Sequence, residues 1–374
     1  MTNTSTRNFS MDLLRVLACF LVINQHCAEV FYGSTGHVEV GDDTFYTGFT
    51  IFLGRTCVPL FTMISGYFLL PMKDSISVFF RKRATRVVWP FLVWAVIYAV
   101  FFMFYSDFTA IQSLKQLLSI FITFPDNMGH FWYVYMLLGL YLLTPIISPW
   151  LEKASRKQLR FYLAIWLFTT LIIYLHRYVA PELWGECFWN PTPTFYYFTG
   201  FAGYFVLGYY IKRFGALNIP ISIAFIVFGY AVCAIFFSHD MFHYSDYANL
   251  EVGINFCTLN VVLMTWGIFS LFTHIRWTGN NAIGHLLTDY SKKSYGIYLG
   301  HMIVLSLVHL VLGTYWPQIF NVVVGPGYTY HRIWGNIPAC LVAIPVSAVI
   351  TFVLCYVFIK LLSYLPKSHK YLGA

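Results

Sequence analysis

The first apolar segment of the chain runs Phe9-Ser-Met-Asp-Leu-Leu-Arg-Val-Leu-Ala-Cys-Phe-Leu-Val-Ile-Asn-Gln-His-Cys. It is long and apolar enough to cross a membrane, yet it carries Asp12, Arg15 and His26. On insertion scales an Asp or Arg at the centre of a membrane helix costs about 2.5–3.5 kcal/mol, so such residues are rare and usually functional. At 100° per residue, the eleven residues from Arg15 to His26 make about three turns and put both on one helix face. Their separation along the axis is roughly 16 Å. Asp12 and Cys19 share that face. The segment therefore reads as a polar stripe running from one membrane surface deep into the bilayer.

Composition agrees with a membrane setting. Of 374 residues, 59% are hydrophobic and 10% charged, against about 25% charged in soluble domains. The chain reads as an all-α, polytopic membrane protein, one integral-membrane domain over residues 1–374 with no repeat, low-complexity stretch or linker. About ten transmembrane helices are expected, near 9–32, 46–70, 84–105, 130–149, 160–178, 195–211, 219–237, 253–273, 294–313 and 334–363. The N-terminus lacks a small-residue cleavage site and is not a cleavable signal.

Charge gives the orientation. With the N-terminus in the cytoplasm, Arg7, Lys73, Arg81, Lys82, Arg83, Arg86, Lys153, Arg156, Lys157, Arg160, Lys212, Arg213, Arg276, Lys292, Lys293, Lys360, Lys367 and Lys370 all fall inside. Lys115, Arg177 and Arg332 fall outside, with Arg15 and Arg55 within spans. Both termini are thus expected in the cytoplasm. Acidic residues go the other way: Glu39, Asp42, Asp43, Asp107, Asp126, Glu182, Glu186, Asp240, Asp246 and Glu251 fall outside. The net charge of +8 belongs to these short loops and does not signal nucleic acid.

Seven of the eight cysteines lie in or beside apolar segments, Cys187 being in a loop, and read as packing residues rather than a disulfide framework. Scattered histidines without a ligand spacing predict no metal site, including the loop cluster His239, Asp240, His243 and Asp246. Trp184, Trp189 and Trp316 suit interfacial anchors or an acceptor surface. The run Ile111 to Phe124 suits a helix lying along the outer interface.

Five constellations can carry chemistry. In the stripe, His26 is a candidate general base, since neutral imidazole is a good base near pH 7. Glu29, one turn on, either orients the ring or faces outer water. The blander reading has Arg15 reaching the headgroups and His26 making one polar contact. Arg83 and Arg86 share a face at the mouth of the third span and suit phosphate through bidentate, always-charged hydrogen bonding, unless they and Lys82 are ordinary positive-inside anchors. Arg55 lies near mid-membrane and needs partners, with Pro59, Ser65 and Gly66 following. Gly129-His130-Phe131-Trp132-Tyr133 opens the fourth span. Ser294-Tyr295-Gly296-Ile297-Tyr298-Leu299-Gly300-His301 opens the ninth.

In order, these segments resemble the acyltransferase 3 family of integral-membrane acyltransferases, in a subgroup close to sugar O-acetyltransferases. The carriers are Arg15 and His26; Arg55, Val58-Pro59-Leu60-Phe61 and Ser65-Gly66-Tyr67; Arg83 and Arg86; His130-Phe131-Trp132-Tyr133 followed by Gly139 to Pro145; and Ser294 to Tyr298 with His301. Phe131 and Tyr133 stand where Leu and Phe are usual. The resemblance implies acetyl-CoA, or another acyl-CoA, as cytoplasmic donor substrate and no tightly bound cofactor. It implies a cell-surface or lipid-linked saccharide as acceptor, in a bacterial inner membrane, with membrane lipids as the other partner. Arg83, Arg86, Lys82, Arg15 and Tyr295 then bind the donor. His26 is catalytic, with Arg15 and Asp12 on its stripe. Arg55, His130, Trp132, Tyr133, Glu29, Tyr298 and His301 serve the acceptor or the oxyanion. Direct transfer and an acyl-histidine intermediate both fit. A transporter or flippase for a saccharide or anion is the competing reading, since intramembrane Arg and His also mark transport paths. A sensor without turnover is a third.

Overall fold

The computed structural model describes residues 7–32, 42–175, 199–244, 250–320, 332–333, 337–338 and 340–374. Among them, nine helical segments are long and apolar enough to cross a membrane. The sixth expected span, 195–211, corresponds to a helix of only fourteen residues, Phe201–Phe214, and residues 195–198 lie outside the described set. Fourteen residues rise about 21 Å, short of the hydrocarbon core. Extended structure among the described residues is confined to a two-residue pairing, β1 (Arg332–Ile333) with β2 (Ile337–Pro338). The loop residues Trp184, Trp189, Cys187 and Asp246, and the side chain of Trp316, lie outside the description.

The helices are α1 (Phe9–Tyr32), α2 (Asp42–Ile51), α3 (Cys57–Leu69), α4 (Ile76–Arg83), α5 (Trp89–Tyr105), α6 (Ala110–Ser119) and α7 (Trp132–Lys153). They continue as α8 (Arg156–Leu175), α9 (Phe201–Phe214), α10 (Ile219–His243), α11 (Leu259–Thr273), α12 (Ala282–Phe320), α13 (Cys340–Leu362) and α14 (Ser368–Tyr371). The bundle is apolar outward. Val96, Val100, Phe104, Ile223, Val227, Ile235, Val349, Val353 and Val357 are exposed, whereas Asp12, Asn24, Arg55, Thr62 and His130 are buried. This suits lipid, where tails offer apolar faces no incentive to hide and polar groups must find partners inside. All seven described cysteines are buried and free, as packing residues should be.

Helix α1 lies at the heart of the bundle, against α2, α3, α12 and α13. Its start is fixed locally: the Asn8 side chain accepts the Met11 amide at 3.3 Å, and Asp12 sits in the first turn, where the helix dipole favours a carboxylate. Helix α3 packs on α9 through glycines. A Cβ at Gly66 would meet the Phe205 carbonyl oxygen at 1.8 Å, and one at Gly208 would meet that of Met63 at 2.0 Å. Backbones approach this closely only where neither helix carries a side chain.

Three spans differ from their expected form. The second is broken: α2 ends at Ile51, a 3₁₀ turn covers Gly54–Thr56, and α3 begins at Cys57. Pro59 fits the first turn of α3, where its missing N–H costs little. The third starts at Ile76 rather than residue 84, and passes through a π-helical turn, Ala84–Val88, in which the Trp89 amide donates to the Ala84 carbonyl five residues back. Pro90 explains the widening, since it cannot bond the Arg86 carbonyl and its ring crowds that group. The ninth starts at Ala282 rather than residue 294. Lys292 and Lys293, expected in a loop, are helical, and Lys293 is buried with its Nζ on Asp289. Helix α6 carries a capping box, Thr109 with Gln112, and exposes Ile111, Leu114 and Leu118 on one side, as an interfacial helix would.

Candidate active site

Two cavities open along α1, one near each end. The larger, about 710 Å³, takes Asp12 and Arg15 from the start of α1. Arg7 precedes that helix, Arg83 and Arg86 come from α4 and the π turn, and Tyr295 comes from α12. Asp12 is the hub. Its carboxylate receives Arg7 Nη2 at 2.8 Å and Ser291 Oγ at 2.7 Å, with Arg15 Nη1 at 3.4 Å. Arg15 also donates to Ser291 Oγ at 3.0 Å. One carboxylate faces four guanidiniums in this lining. The cavity therefore has a surplus of positive charge, which favours an anionic ligand.

Arg83 is held by aromatic faces, its Cζ 5.1 Å from the Phe79 ring and 5.5 Å from the Tyr141 ring. Its Nε is buried and has no hydrogen-bond partner among the described residues. Tyr295 donates to the Val87 carbonyl at 3.0 Å, tying α12 to the π turn that carries Arg86. Lys82, expected with these arginines, does not line the cavity. It points from the outer side of α4 to Asp74, at 2.8 and 2.9 Å. Successive helical residues diverge by 100°, so Arg83 faces inward while Lys82 does not.

The smaller cavity, about 180 Å³, is lined by His26, Glu29, Arg55, His130, Trp132, Tyr133, Glu251, Phe256 and Tyr298 among others. His26 Nδ1 lies 2.8 Å from Glu29 Oε2, three residues on along α1. A carboxylate on Nδ1 fixes the tautomer with the proton there and leaves Nε2 as the basic nitrogen. Arg55, in the broken turn of the second span, forms an ion pair with Glu251, and its Cζ lies 5.5 Å from the Phe256 ring. Trp132 packs on Phe256 with ring centroids 5.6 Å apart. His301 lines neither cavity. It is fully buried behind His26, the two ring centroids 5.1 Å apart, and its Nδ1 faces the Tyr298 carbonyl.

Tyr133 and Tyr298 line both cavities and so stand at their boundary. Their rings are 5.1 Å apart, and the Tyr298 hydroxyl donates to the His130 carbonyl, tying α12 to the 3₁₀ turn before α7. The stripe is thus divided. Asp12 and Arg15 sit in the arginine-rich cavity, His26 and Glu29 in the other, and neither Asp12 nor Arg15 lines the cavity that His26 faces. An arginine surplus at one end and an oriented imidazole at the other suit a phosphate-bearing donor whose reactive end reaches the histidine.

A family model described as an acyltransferase domain matches residues 8–359. The chain belongs to the acyltransferase 3 family. No curated protein and no solved structure matches it. Family membership makes it an acyltransferase, and the apolar spans make that acyltransferase an integral membrane protein.

Some lining residues carried no sequence signal of their own. Arg7 counted only as a flanking charge, though an Arg five residues before a buried Asp12 is a usable hint. Tyr141 was indistinguishable from packing, as was Ser291, which lies outside both linings and bonds Asp12 and Arg15. Glu251 counted as one of many outer acids, yet the mid-membrane Arg55 already demanded a counter-charge, and Glu251 is it.

Proposed function

We propose that this acyltransferase moves an acyl group, most simply acetyl, from cytoplasmic acyl-CoA to a hydroxyl of a cell-surface or lipid-linked saccharide across a bacterial inner membrane. What carries the reading is the meeting of two unlike cavities at Tyr133 and Tyr298 on one central helix. In this reading the chain is one membrane domain of ten spans with both termini in the cytoplasm, the short sixth span being α9.

The donor's phosphates bind Arg83 and Arg86, with Arg7 and Arg15 beside them. Asp12 acts as a positioning residue that holds Arg7 and Arg15 apart and aimed. The pantetheine arm follows α1 for roughly 16 Å and delivers the thioester past the two tyrosines. There His26 Nε2 takes the proton from the acceptor hydroxyl while the oxygen attacks the thioester carbonyl. The C–S bond then breaks, and the departing thiolate takes that proton from the His26 imidazolium to leave as the thiol of coenzyme A, which returns His26 to its neutral form. Glu29 holds the imidazole in its base tautomer and stabilises the imidazolium that forms. Arg55 is engaged by Glu251 and Phe256, so Tyr133, at the boundary, is the oxyanion donor of this reading.

The test is purified protein in lipid vesicles with labelled acetyl-CoA, reading free thiol release against added glycan. Glycan-dependent release with the label on the sugar is expected. Uptake of glycan without thiol release would instead support a transporter.

A further inference from the structure

The cavity around His26 has a character that the general reaction does not require. Among the described residues its lining carries two carboxylates, Glu29 and Glu251, and one guanidinium, Arg55. The other cavity carries four guanidiniums and one carboxylate. The two meet at the same tyrosines with opposite charge balance. The segments that sequence assigns to the outer side are also acidic, with ten acids against Lys115, Arg177 and Arg332. Beside the carboxylates lies an apolar surface, Trp132 against Phe256 at 5.6 Å between centroids. Arg55 bridges the two characters, paired with Glu251 and set over the Phe256 ring at 5.5 Å.

An aromatic face next to a carboxylate–guanidinium pair matches one kind of ligand. A sugar ring has an apolar C–H face that packs on an aromatic ring and an edge of hydroxyls that both donate and accept. Glu251 accepts from such hydroxyls and Arg55 donates to them, each bond strengthened by the charge of the protein partner. A carboxylate or phosphate on the same ring would sit beside Glu29 and Glu251, with like-charge repulsion in a partly dehydrated site. An ammonium group would be welcome there. At about 180 Å³, the cavity is small against the roughly 300–1,000 Å³ of ligand sites that enclose a drug-sized molecule. It takes one ring, not an oligosaccharide.

We infer that the Trp132–Phe256 face with the Glu251–Arg55 pair is the acceptor subsite, and that it selects a single neutral or amino-bearing sugar ring and rejects an anionic one. The inference rests on the acyl-transfer reading for its purpose, but binding tests it without turnover. Saturation-transfer NMR on the purified full chain in detergent would compare methyl glucoside, methyl glucosaminide and methyl glucuronide. Ring protons of the first two should receive saturation, and those of the glucuronide at least tenfold less. Trp132→Ala should remove the signal. Glu251→Gln, which takes the formal charge of the described lining from −1 to 0, should raise the glucuronide signal relative to the glucoside and bring the two to within about twofold, whereas the double change Arg55→Gln with Glu251→Gln, which leaves that charge at −1, should keep the glucuronide the weaker. Equal saturation of the three glycosides, or none from any, would overturn the subsite. The same samples with acetyl-CoA separate the two claims. Binding that discriminates without thiol release leaves the subsite standing and removes the transfer reaction.

Discussion

The two cavities along α1 are built from the same helix and share two tyrosines, yet they do opposite things with charge. At one end Asp12 is outnumbered by Arg7, Arg15, Arg83 and Arg86. At the other Arg55 is outnumbered by Glu29 and Glu251, and a histidine takes the place of the surplus arginines. In the proposed reading, that difference gives each end of α1 its own ligand. Tyr133 and Tyr298 border both chambers, and what differs among the described residues is which ion is left in excess. Neither chamber balances its charges, although balance is the cheap solution in a low-dielectric interior.

The comparison breaks most sharply at His26. His26→Ala should lower turnover by about 10²–10⁴-fold, the span of general-base contributions, while coenzyme A binding measured by calorimetry stays within twofold. A parallel loss of donor affinity would mean that the chambers are not separate. Next comes Arg83→Ala with Arg86→Ala. Removing charge-assisted bonds worth about 1.5–3 kcal/mol each should raise KM for acetyl-CoA by at least tenfold, with the acceptor KM unmoved. An unchanged coenzyme A affinity would refute the phosphate assignment. Glu29→Gln should lower kcat by roughly tenfold through the lost hold on the imidazole, with donor KM unchanged. A change in donor KM alone would place Glu29 in the wrong chamber. Smallest is Lys82→Ala. Its exposed pair with Asp74 is worth about 0–1 kcal/mol, so kinetics and thermal midpoint should barely move. A tenfold rise in donor KM there would return Lys82 to the phosphate site.

Much of this was readable before any coordinates. The spacing of Arg15 and His26 puts them on one face because helix geometry is local, and so it is with Arg83 and Arg86. The order of the apolar spans follows from hydropathy for the same reason, whereas their number does not, since hydropathy counts the fourteen-residue α9 as a span and nine described helices are long enough to cross. Two kinds of information were not local. One is which helices are neighbours: nothing in the sequence brings Glu251 to Arg55, or Tyr298 beside Tyr133, although both pairings build the site. The other is the helicity of charged stretches. Arg81-Lys82 and Lys292-Lys293 fall outside the expected spans because free charges belong in water. Their acids, Asp74 and Asp289, let helix continue through them. The break at Gly54–Thr56 inside the second span was hidden likewise, since hydropathy runs straight through it.

The Arg55–Glu251 pair also has a history in time. The two residues are 196 positions apart, and ribosomes add about 5–20 residues per second. The second span is therefore made roughly 10–40 s before its counter-ion exists. During that interval its guanidinium sits at a helix break without Glu251, with Glu29 of α1 the acid of that cavity already made. Synthesis arrested before residue 251 should leave the neighbouring Cys57, buried in the finished protein, open to water-soluble thiol reagents, and release past that point should close it. The pair thus joins a span made early to a residue made late, and the exposure of Cys57 reads whether the second span settles before the chain beyond α10 arrives.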